Sequence, residues 1–145
     1  MSCARGGSCV TSSISAKCAC GALQFQSTAA PVMQVICHCA DCRAATGRSF
    51  CETAFFRTGH GAITGPQSVT SFVAASGART ERVACSRCRT VMFDTSDRFP
   101  DIIGVLAETI EPPFVAKPAC HMWVSSKVAS SDITDGLPQH AEGLS

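Results

Sequence analysis

Three short groups of cysteines constrain this chain more than any other feature of its sequence. Two groups are pairs and one is a run of three, and their members are Cys18-x-Cys20, Cys85-x-x-Cys88 and Cys37-x-Cys39-x-x-Cys42. Thiols at such short spacings are typical of zinc ligands and rarely arise from packing alone. The two pairs supply the four thiolates of a complete tetrahedral site, whereas the run of three leaves one position open.

A closed zinc site usually stabilises a fold, and an open one usually performs chemistry. We therefore predict two Zn²⁺ ions, a structural one on the two pairs and a catalytic one on the run of three. The pairs are separated by the 64 residues between Cys20 and Cys85. They must therefore meet across a folded sheet, where the metal would close a large loop.

Three thiolates give a zinc centre a formal charge of −1, so it polarises water less than a zinc held by neutral imidazoles. Such a site is better suited to holding a thiol as its thiolate, which favours sulfur-carbon chemistry over hydrolysis. Two alternatives remain open: one of the three cysteines is a spare thiol, or His38 completes a closed site. Alternation along the chain turns His38 away from its neighbours Cys37 and Cys39.

The remaining sequence predicts a single, mainly β domain. Its 145 residues, 46% of them hydrophobic, suit one domain, with a flexible tail over residues 1–14, the zinc domain over 15–138 and a second tail over 139–145. Short apolar runs bounded by Gly and Pro predict strands at 23–26, 32–36, 50–56, 69–73, 80–84, 91–93, 102–106 and 120–124. A helical turn over 40–45 should end at Gly47, and glycines predict a tight loop over 59–66.

Composition argues against several partners. The net charge is +1, and no basic cluster is interleaved with aromatic residues, so nucleic acid is not expected. No apolar run approaches the roughly 18 residues of a spanning helix, so a membrane is not expected either. Eleven cysteines, an odd number, without an export signal predict a reducing compartment, the cytoplasm.

The motifs resemble the glutathione-dependent formaldehyde-activating enzyme family, which also includes centromere protein V. The resemblance extends over roughly residues 15–138. It rests on the three cysteine groups together with Gly21, Arg43, Gly47, Phe50, Pro100-Asp101-x-Ile103, Pro118-x-x-His121 and Asp135-Gly136-Leu137-Pro138. The sequence departs from the family pattern at Arg89, where a glycine is usual, at Ala84, where Phe is common, and at 129–131, where a tryptophan is missing.

The resemblance implies a β-tent fold of short antiparallel strands with two zinc ions. The structural zinc would be held by Cys18, Cys20, Cys85 and Cys88, and the catalytic zinc by Cys37, Cys39 and Cys42. It also implies a carbon-sulfur lyase, an S-(hydroxymethyl)glutathione synthase acting on a small thiol such as glutathione and a small aldehyde such as formaldehyde. The alternative is a zinc-stabilised binding module without turnover, as the centromere-protein relatives allow.

Three residues near the run of three cysteines are candidates for substrate binding. Arg43 and Arg48 flank the predicted helical turn, where a guanidinium can receive a glutathione carboxylate through two hydrogen bonds. Phe50, which follows, is a candidate for lining the pocket. A Cys51 beside them and a Cys120 near Trp123 are interpreted as core residues.

Overall fold

The computed structural model describes residues 13–74 and 76–143, which form ten strands and one α-helix. The strands are β1 (Ile14–Lys17), β2 (Gln24–Ser27), β3 (Met33–Cys37), β4 (Cys51–Arg57), β5 (Gly61–Thr64), β6 (Gln67–Val73), β7 (Arg79–Cys85), β8 (Val91–Ser96), β9 (Ile102–Leu106) and β10 (Cys120–Met122), and the helix is α1 (Ala40–Thr46). Most of the predicted N-terminal tail, with Cys3 and Cys9, lies outside the described residues.

The strands form two sheets. The larger has seven strands in the order β10-β3-β4-β9-β8-β7-β6, and the smaller has three in the order β1-β2-β5. Neighbouring strands are antiparallel except β10, which runs parallel to β3 and pairs Cys120 with Val35. Within the described part of the chain, no helix has the length and hydropathy needed to cross a membrane.

The hydrophobic core lies between the two sheets. Phe25 of β2 meets Phe56 of β4 edge to face, with ring centroids 5.2 Å apart, and lies 5.7 Å from the ring of Phe93 on β8. All three rings are almost fully buried. Side chains alternate between the two faces of a strand. Every second residue of the large sheet therefore points into this core, and the residues between them point to the opposite face of the sheet.

The mainly β prediction is confirmed, and α1 lies where the helical turn was predicted, ending at Gly47 in the left-handed region (φ 70°). Two differences have physical reasons. The predicted loop at 59–66 contains strand β5, whose Ile63 pairs with Phe25 and whose short length hides any alternation. Strand β10 is parallel because the chain crosses back from β9 through residues 107–119 before pairing with β3, an approach direction that periodicity does not reveal.

Phe25 connects the two sheets, and its removal should destabilise both. We expect Phe25→Ala to lower the free energy of unfolding by about 3–5 kcal/mol, because it loses buried apolar area and leaves a cavity. The matched control is Phe99→Ala, a ring that is 48% exposed, with an expected loss under about 1 kcal/mol. Urea denaturation followed by circular dichroism measures both, and equal losses would contradict this description of the core.

Candidate metal centres and the adjoining cavity

The two cysteine pairs meet in one cluster although they lie far apart in sequence. The four Sγ atoms of Cys18, Cys20, Cys85 and Cys88 all lie within 4.8 Å of one another. Cys20 Sγ is 3.5 Å from Cys18 Sγ and 3.7 Å from Cys85 Sγ. A tetrahedral zinc with Zn–S bonds of about 2.3 Å requires sulfur atoms about 3.8 Å apart, so this cluster has the geometry of a closed thiolate site.

Each cysteine pair of the cluster lies in a tight turn that ends at a residue with positive φ. Gly21 follows the first pair with φ 80°, and Arg89 follows the second with φ 67°. The turns direct backbone N–H groups at sulfur: Leu23 N donates to Cys18 Sγ at 3.3 Å and Arg87 N to Cys85 Sγ at 3.4 Å. Arg89 stands where a glycine is usual, and its left-handed backbone costs about 1 kcal/mol.

Thr90 favours the metal-binding form of Cys88, one of the four thiols in the closed cluster. The Thr90 hydroxyl lies 3.0 Å from Cys88 Sγ. This hydrogen bond, with one from the Thr90 backbone, lowers the pKa of Cys88 to about 5. A thiolate at neutral pH is the form that binds a metal ion.

The run of three cysteines forms the second cluster, at the junction of β3 and α1. The Sγ atoms of Cys37, Cys39 and Cys42 lie within 4.8 Å of one another, and all three residues are buried. Cys39 is the N-cap of α1, and its Sγ accepts a hydrogen bond from Cys42 N at 3.3 Å. The helix therefore fixes the spacing of two of the three thiols.

The three thiols titrate together because they share protons. Hydrogen bonds from the Cys37 and Cys42 thiols lower the pKa of Cys39. The same contacts raise the pKa of Cys37, mainly through Cys39, and that of Cys42, mainly through Cys37. These contacts therefore favour the thiolate form of Cys39 over those of Cys37 and Cys42.

Cys51 and Cys120 are both buried, as expected of core residues. Cys51 Sγ donates to the Cys42 carbonyl at 3.3 Å. Cys51 therefore contacts the helical turn that carries the second cluster and helps to stabilise it. Neither residue belongs to a group of thiols with metal-ligand spacing in the described chain.

A cavity of about 410 Å³ opens onto the second cluster. Its floor is the face of the large sheet that points away from the core, formed by alternate residues of its strands, and the start of α1 and Trp123 close one end. The three clustered cysteines line it, as do the mostly apolar side chains Val32, Met33, Val35, Phe55, Phe72, Phe99, Ile102 and Met122. The four cysteines of the first cluster are not among the lining residues.

Four charged residues interrupt this apolar lining: Asp41, Arg82, Asp94 and Arg98. Arg82 of β7 and Asp94 of β8 face each other across neighbouring strands, and Arg82 Nη2 lies 3.9 Å from Asp94 Oδ2. Arg82 Nη1 also donates to the Asp41 carbonyl at 2.9 Å, and its guanidinium lies 5.2 Å from the Phe72 ring centroid. Burial raises the pKa of Asp94 to about 6, against the lowering effect of Arg82.

Sequence reasoning did not identify Arg82 or Asp94. The available signal was Gly104 in the middle of β9, since a glycine inside a strand often marks a close approach. Gly104 pairs with Asp94, and a Cβ at this position would lie 2.5 Å from Asp94 Oδ1. The glycine therefore makes the space that the carboxyl group occupies.

The three predicted substrate-binding residues lie outside the lining of this cavity. Arg43 holds the helix in place, donating from Nη2 to the Ser126 carbonyl at 3.0 Å and from Nε to the His38 carbonyl at 3.4 Å. Arg48 pairs with Glu108 at 3.1 Å on the surface. Phe50 is partly exposed, with its ring centroid 5.5 Å from that of His38. A substrate role for them stays a prediction.

His38 belongs to a chain of hydrogen-bonded polar side chains and not to the thiol cluster. Its Nε2 lies 2.9 Å from His121 Nδ1, and His121 Nε2 lies 2.8 Å from Asp135 Oδ2. Asp135 also accepts a hydrogen bond from Leu137 N at 3.0 Å. The chain ties the turn that carries the second cluster to strand β10 and to the C-terminal segment.

The segment predicted as the C-terminal tail is hydrogen-bonded along its described part. His140 N donates to the His121 carbonyl at 2.9 Å, and Trp123 N donates to the Glu142 carbonyl at 3.2 Å. Gly143 reaches the Trp123 ring and lines the cavity. The C-terminal segment thus contributes Gly143 to the wall of the cavity.

Together the fold and the two clusters define a small, mainly β protein with two groups of thiols at metal-ligand spacing. The chain belongs to the glutathione-dependent formaldehyde-activating enzyme family, whose model matches residues 13–126. A Rhodobacter sphaeroides protein of known crystal structure has a TM-score of 0.55 and 17% identity, covering 69% of this chain and 90% of that one. This likeness shows a shared fold alone. No curated protein matches the chain in sequence.

The donor sets fit the metal that the sequence predicts. Four thiols or three thiols on short turns, with N–H groups directed at sulfur, can hold an ion, and soft thiolate ligands select zinc over hard cations such as Mg²⁺. The family description implies an enzyme that acts with glutathione and formaldehyde.

The two clusters should differ in what they contribute to stability. We expect Cys88→Ser to unfold the domain at ambient temperature or lower its Tm strongly, because structural zinc binding contributes on the order of 10 kcal/mol. Cys42→Ser should leave most of the stability and remove one metal ion per chain. The measurements are thermal melts and metal content, with Cys120→Ser, a buried cysteine outside both clusters, as control. If Cys42→Ser were the more damaging change, the two roles would be reversed.

The hydrogen-bonded chain from His38 through His121 to Asp135 should give a pH-dependent contribution to stability. Hydrogen bonds from Leu137 N and then from His121 lower the pKa of Asp135. A lowered carboxyl pKa stabilises the fold above the unfolded value, 3.8, and this contribution is lost as pH falls through the folded value. We expect Asp135→Asn to melt below the wild type at neutral pH, with the difference shrinking under acid conditions. Asp101→Asn, at an exposed position, controls for loss of charge, and a pH-independent difference would contradict this account.

Proposed function

We propose that this protein is a zinc-dependent carbon-sulfur lyase that joins and separates a thiol and an aldehyde, with glutathione and formaldehyde as substrates. Membership of the family supports the reaction class. In this proposal the closed cluster of four cysteines holds a structural zinc, and Cys37, Cys39 and Cys42 hold a catalytic zinc.

One observation carries the proposal: the cavity opens onto the cluster of three thiols and not onto the cluster of four. A closed thiolate site has no position for a substrate, whereas three ligands leave one. The cluster that is chemically open therefore adjoins the space in which a substrate can lie. This coincidence favours an enzyme over a binding module whose two zinc ions only stabilise the fold.

Three thiolates and a bound zinc would supply a position that keeps a substrate thiol ionised at neutral pH. The chain contributes the arrangement around it. The Cys42 N–H group and the start of α1 fix Cys39, and the Arg82 side chain braces the same turn through the Asp41 carbonyl. Apolar walls exclude water, so a thiolate there is poorly solvated and more nucleophilic. Holding the thiol and the aldehyde next to each other in the cavity supplies the remaining rate acceleration.

The reaction needs free thiols on both the protein and its substrate. A reducing compartment such as the cytoplasm maintains them in that state, and we propose that the protein acts there. Arg43, Arg48 and Phe50 remain candidates for contacting the parts of glutathione that extend beyond the cavity.

The test is the exchange of glutathione with formaldehyde, measured by exchange spectroscopy with wild type, Cys39→Ser and no protein. We expect the wild type to accelerate exchange and Cys39→Ser to return it to the uncatalysed rate, because the variant loses one of the three proposed zinc ligands. Arg48→Ala, which removes only a surface ion pair in this structure, provides a comparison for the predicted glutathione contact. Equal rates in all three samples, with the wild type at full metal content, would favour the binding module instead.

A further inference from the structure

The cavity contains an acid that the proposed function does not use. We propose that the carboxyl group of Asp94 exchanges a proton with the oxygen atom of the aldehyde carbon in the reaction at Cys37, Cys39 and Cys42. The inference rests on the proposed function and assigns to it a second set of catalytic atoms, 52 or more positions along the chain from the three thiols.

Asp94 lies in the middle of the large sheet, on the face that forms the cavity floor. A single row of paired residues crosses the cavity floor, from Arg82 on β7 through Asp94 on β8 and Gly104 on β9 to Phe55 on β4. Gly104 is the gap in this row, and the Asp94 carboxyl occupies it. Thr53 and Phe55 also border that space. A carboxyl group is therefore held over a glycine in the middle of an otherwise mostly apolar floor.

Arg82 makes no hydrogen bond to the Asp94 carboxyl group. The separation of 3.9 Å between Arg82 Nη2 and Asp94 Oδ2 exceeds hydrogen-bond length. The guanidinium is instead committed to the Asp41 carbonyl at 2.9 Å and to the face of Phe72. Asp94 thus keeps an oxygen available to a molecule in the cavity.

Asp94 and the three thiols line the same cavity. Arg82 connects them, since one end of its guanidinium donates to the Asp41 carbonyl, next to Cys42, and the other end faces Asp94. A small aldehyde bound in this cavity can therefore contact both a sulfur atom and the carboxyl group.

The proposed step adds the thiol across the C=O bond of the aldehyde. The thiolate sulfur forms a bond to the aldehyde carbon, and the π electrons of the C=O bond move onto its oxygen. That oxygen takes the proton of the Asp94 carboxyl and becomes the hydroxyl of the adduct. The proton lost earlier by the substrate thiol restores the acid through solvent, so the net reaction adds S–H across C=O. In reverse, the Asp94 carboxylate takes the hydroxyl proton as the S–C bond breaks.

The surroundings of Asp94 allow it to hold a proton near neutral pH. Burial raises the pKa of its carboxyl group, and Arg82 on β7 opposes this effect. The space beside Gly104 that the carboxyl group occupies is otherwise bordered by Thr53 and Phe55 of β4, which are uncharged. A general acid with a pKa close to the working pH can both donate and accept, which is the property that this step requires.

The experiment measures glutathione–formaldehyde exchange for wild type, Asp94→Asn and Asp94→Ala at matched metal content. We expect Asp94→Asn, which keeps the shape but cannot donate a proton, to lower the enzyme-dependent rate about 100-fold or more. Asp94→Ala should be similarly slow but should regain activity as formate is added, because formate can enter the vacated space over Gly104. A merely structural role would not respond to formate.

A second variant moves the carboxyl group without removing it. Gly104→Ala places a Cβ against Asp94 Oδ1 and should slow exchange while leaving metal content unchanged. Gly59→Ala is its control, because a Cβ there meets nothing within 4 Å. Independently of activity, the Asp94 carboxyl should titrate at a pH clearly above that of an ordinary aspartate, with a pKa near the value of about 6, when followed by carbon NMR in the metal-loaded protein.

The outcomes separate the two proposals. A wild type that exchanges no faster than buffer overturns the proposed function. An active wild type with Asp94→Asn within twofold of its rate overturns the proton role of Asp94 and leaves the proposed function standing. A slow Asp94→Asn that has also lost metal, or a slow Asp94→Ala that formate does not restore, likewise overturns the proton role, since Asp94 would then support only the structure of the site.

Discussion

The meeting of two cysteine pairs 65 positions apart is the constraint on which this structure depends. Cys18 and Cys20 follow β1 of the small sheet, and Cys85 ends β7 of the large sheet, so their cluster joins the two sheets. A protein with nine aromatic side chains and no tyrosine has a modest core. A metal ion held by these four thiols would add its binding free energy to folding and compensate for that small core.

The two faces of the large sheet have different roles. One face packs on Phe25 and its neighbours and is closed to solvent, and the other remains as the floor of a cavity. Because side chains alternate, a single strand serves both: β8 sends Phe93 into the core and Asp94 into the cavity. A core residue and a cavity residue are therefore neighbours along the chain. A shift of the strand register by one residue would move each of them to the opposite face of the sheet.

The cluster of three thiols shows how a local turn is placed by distant contacts. Its geometry is local, because the N-cap of α1 sets the spacing of Cys39 and Cys42. Its orientation depends on groups from elsewhere: Arg82 holds the Asp41 carbonyl, and the chain from His38 through His121 to Asp135 fixes the opposite side. The C-terminal segment is thereby part of the site and not an appendage to it.

The sequence by itself determined the thiol clusters, the mainly β architecture and the short helix, because each depends on spacing, period or a cap that neighbouring residues specify. Even the left-handed backbone at Arg89 follows from the turn that a Cys-x-x-Cys pair requires. Only the tertiary structure decided that β10 pairs in parallel with β3, that Arg43 braces the helix, and that Arg82 and Asp94 enter the cavity beside the thiols. Those outcomes depend on which strands become neighbours, and strand pairing is set by contacts between residues too far apart in the chain for any local pattern to record.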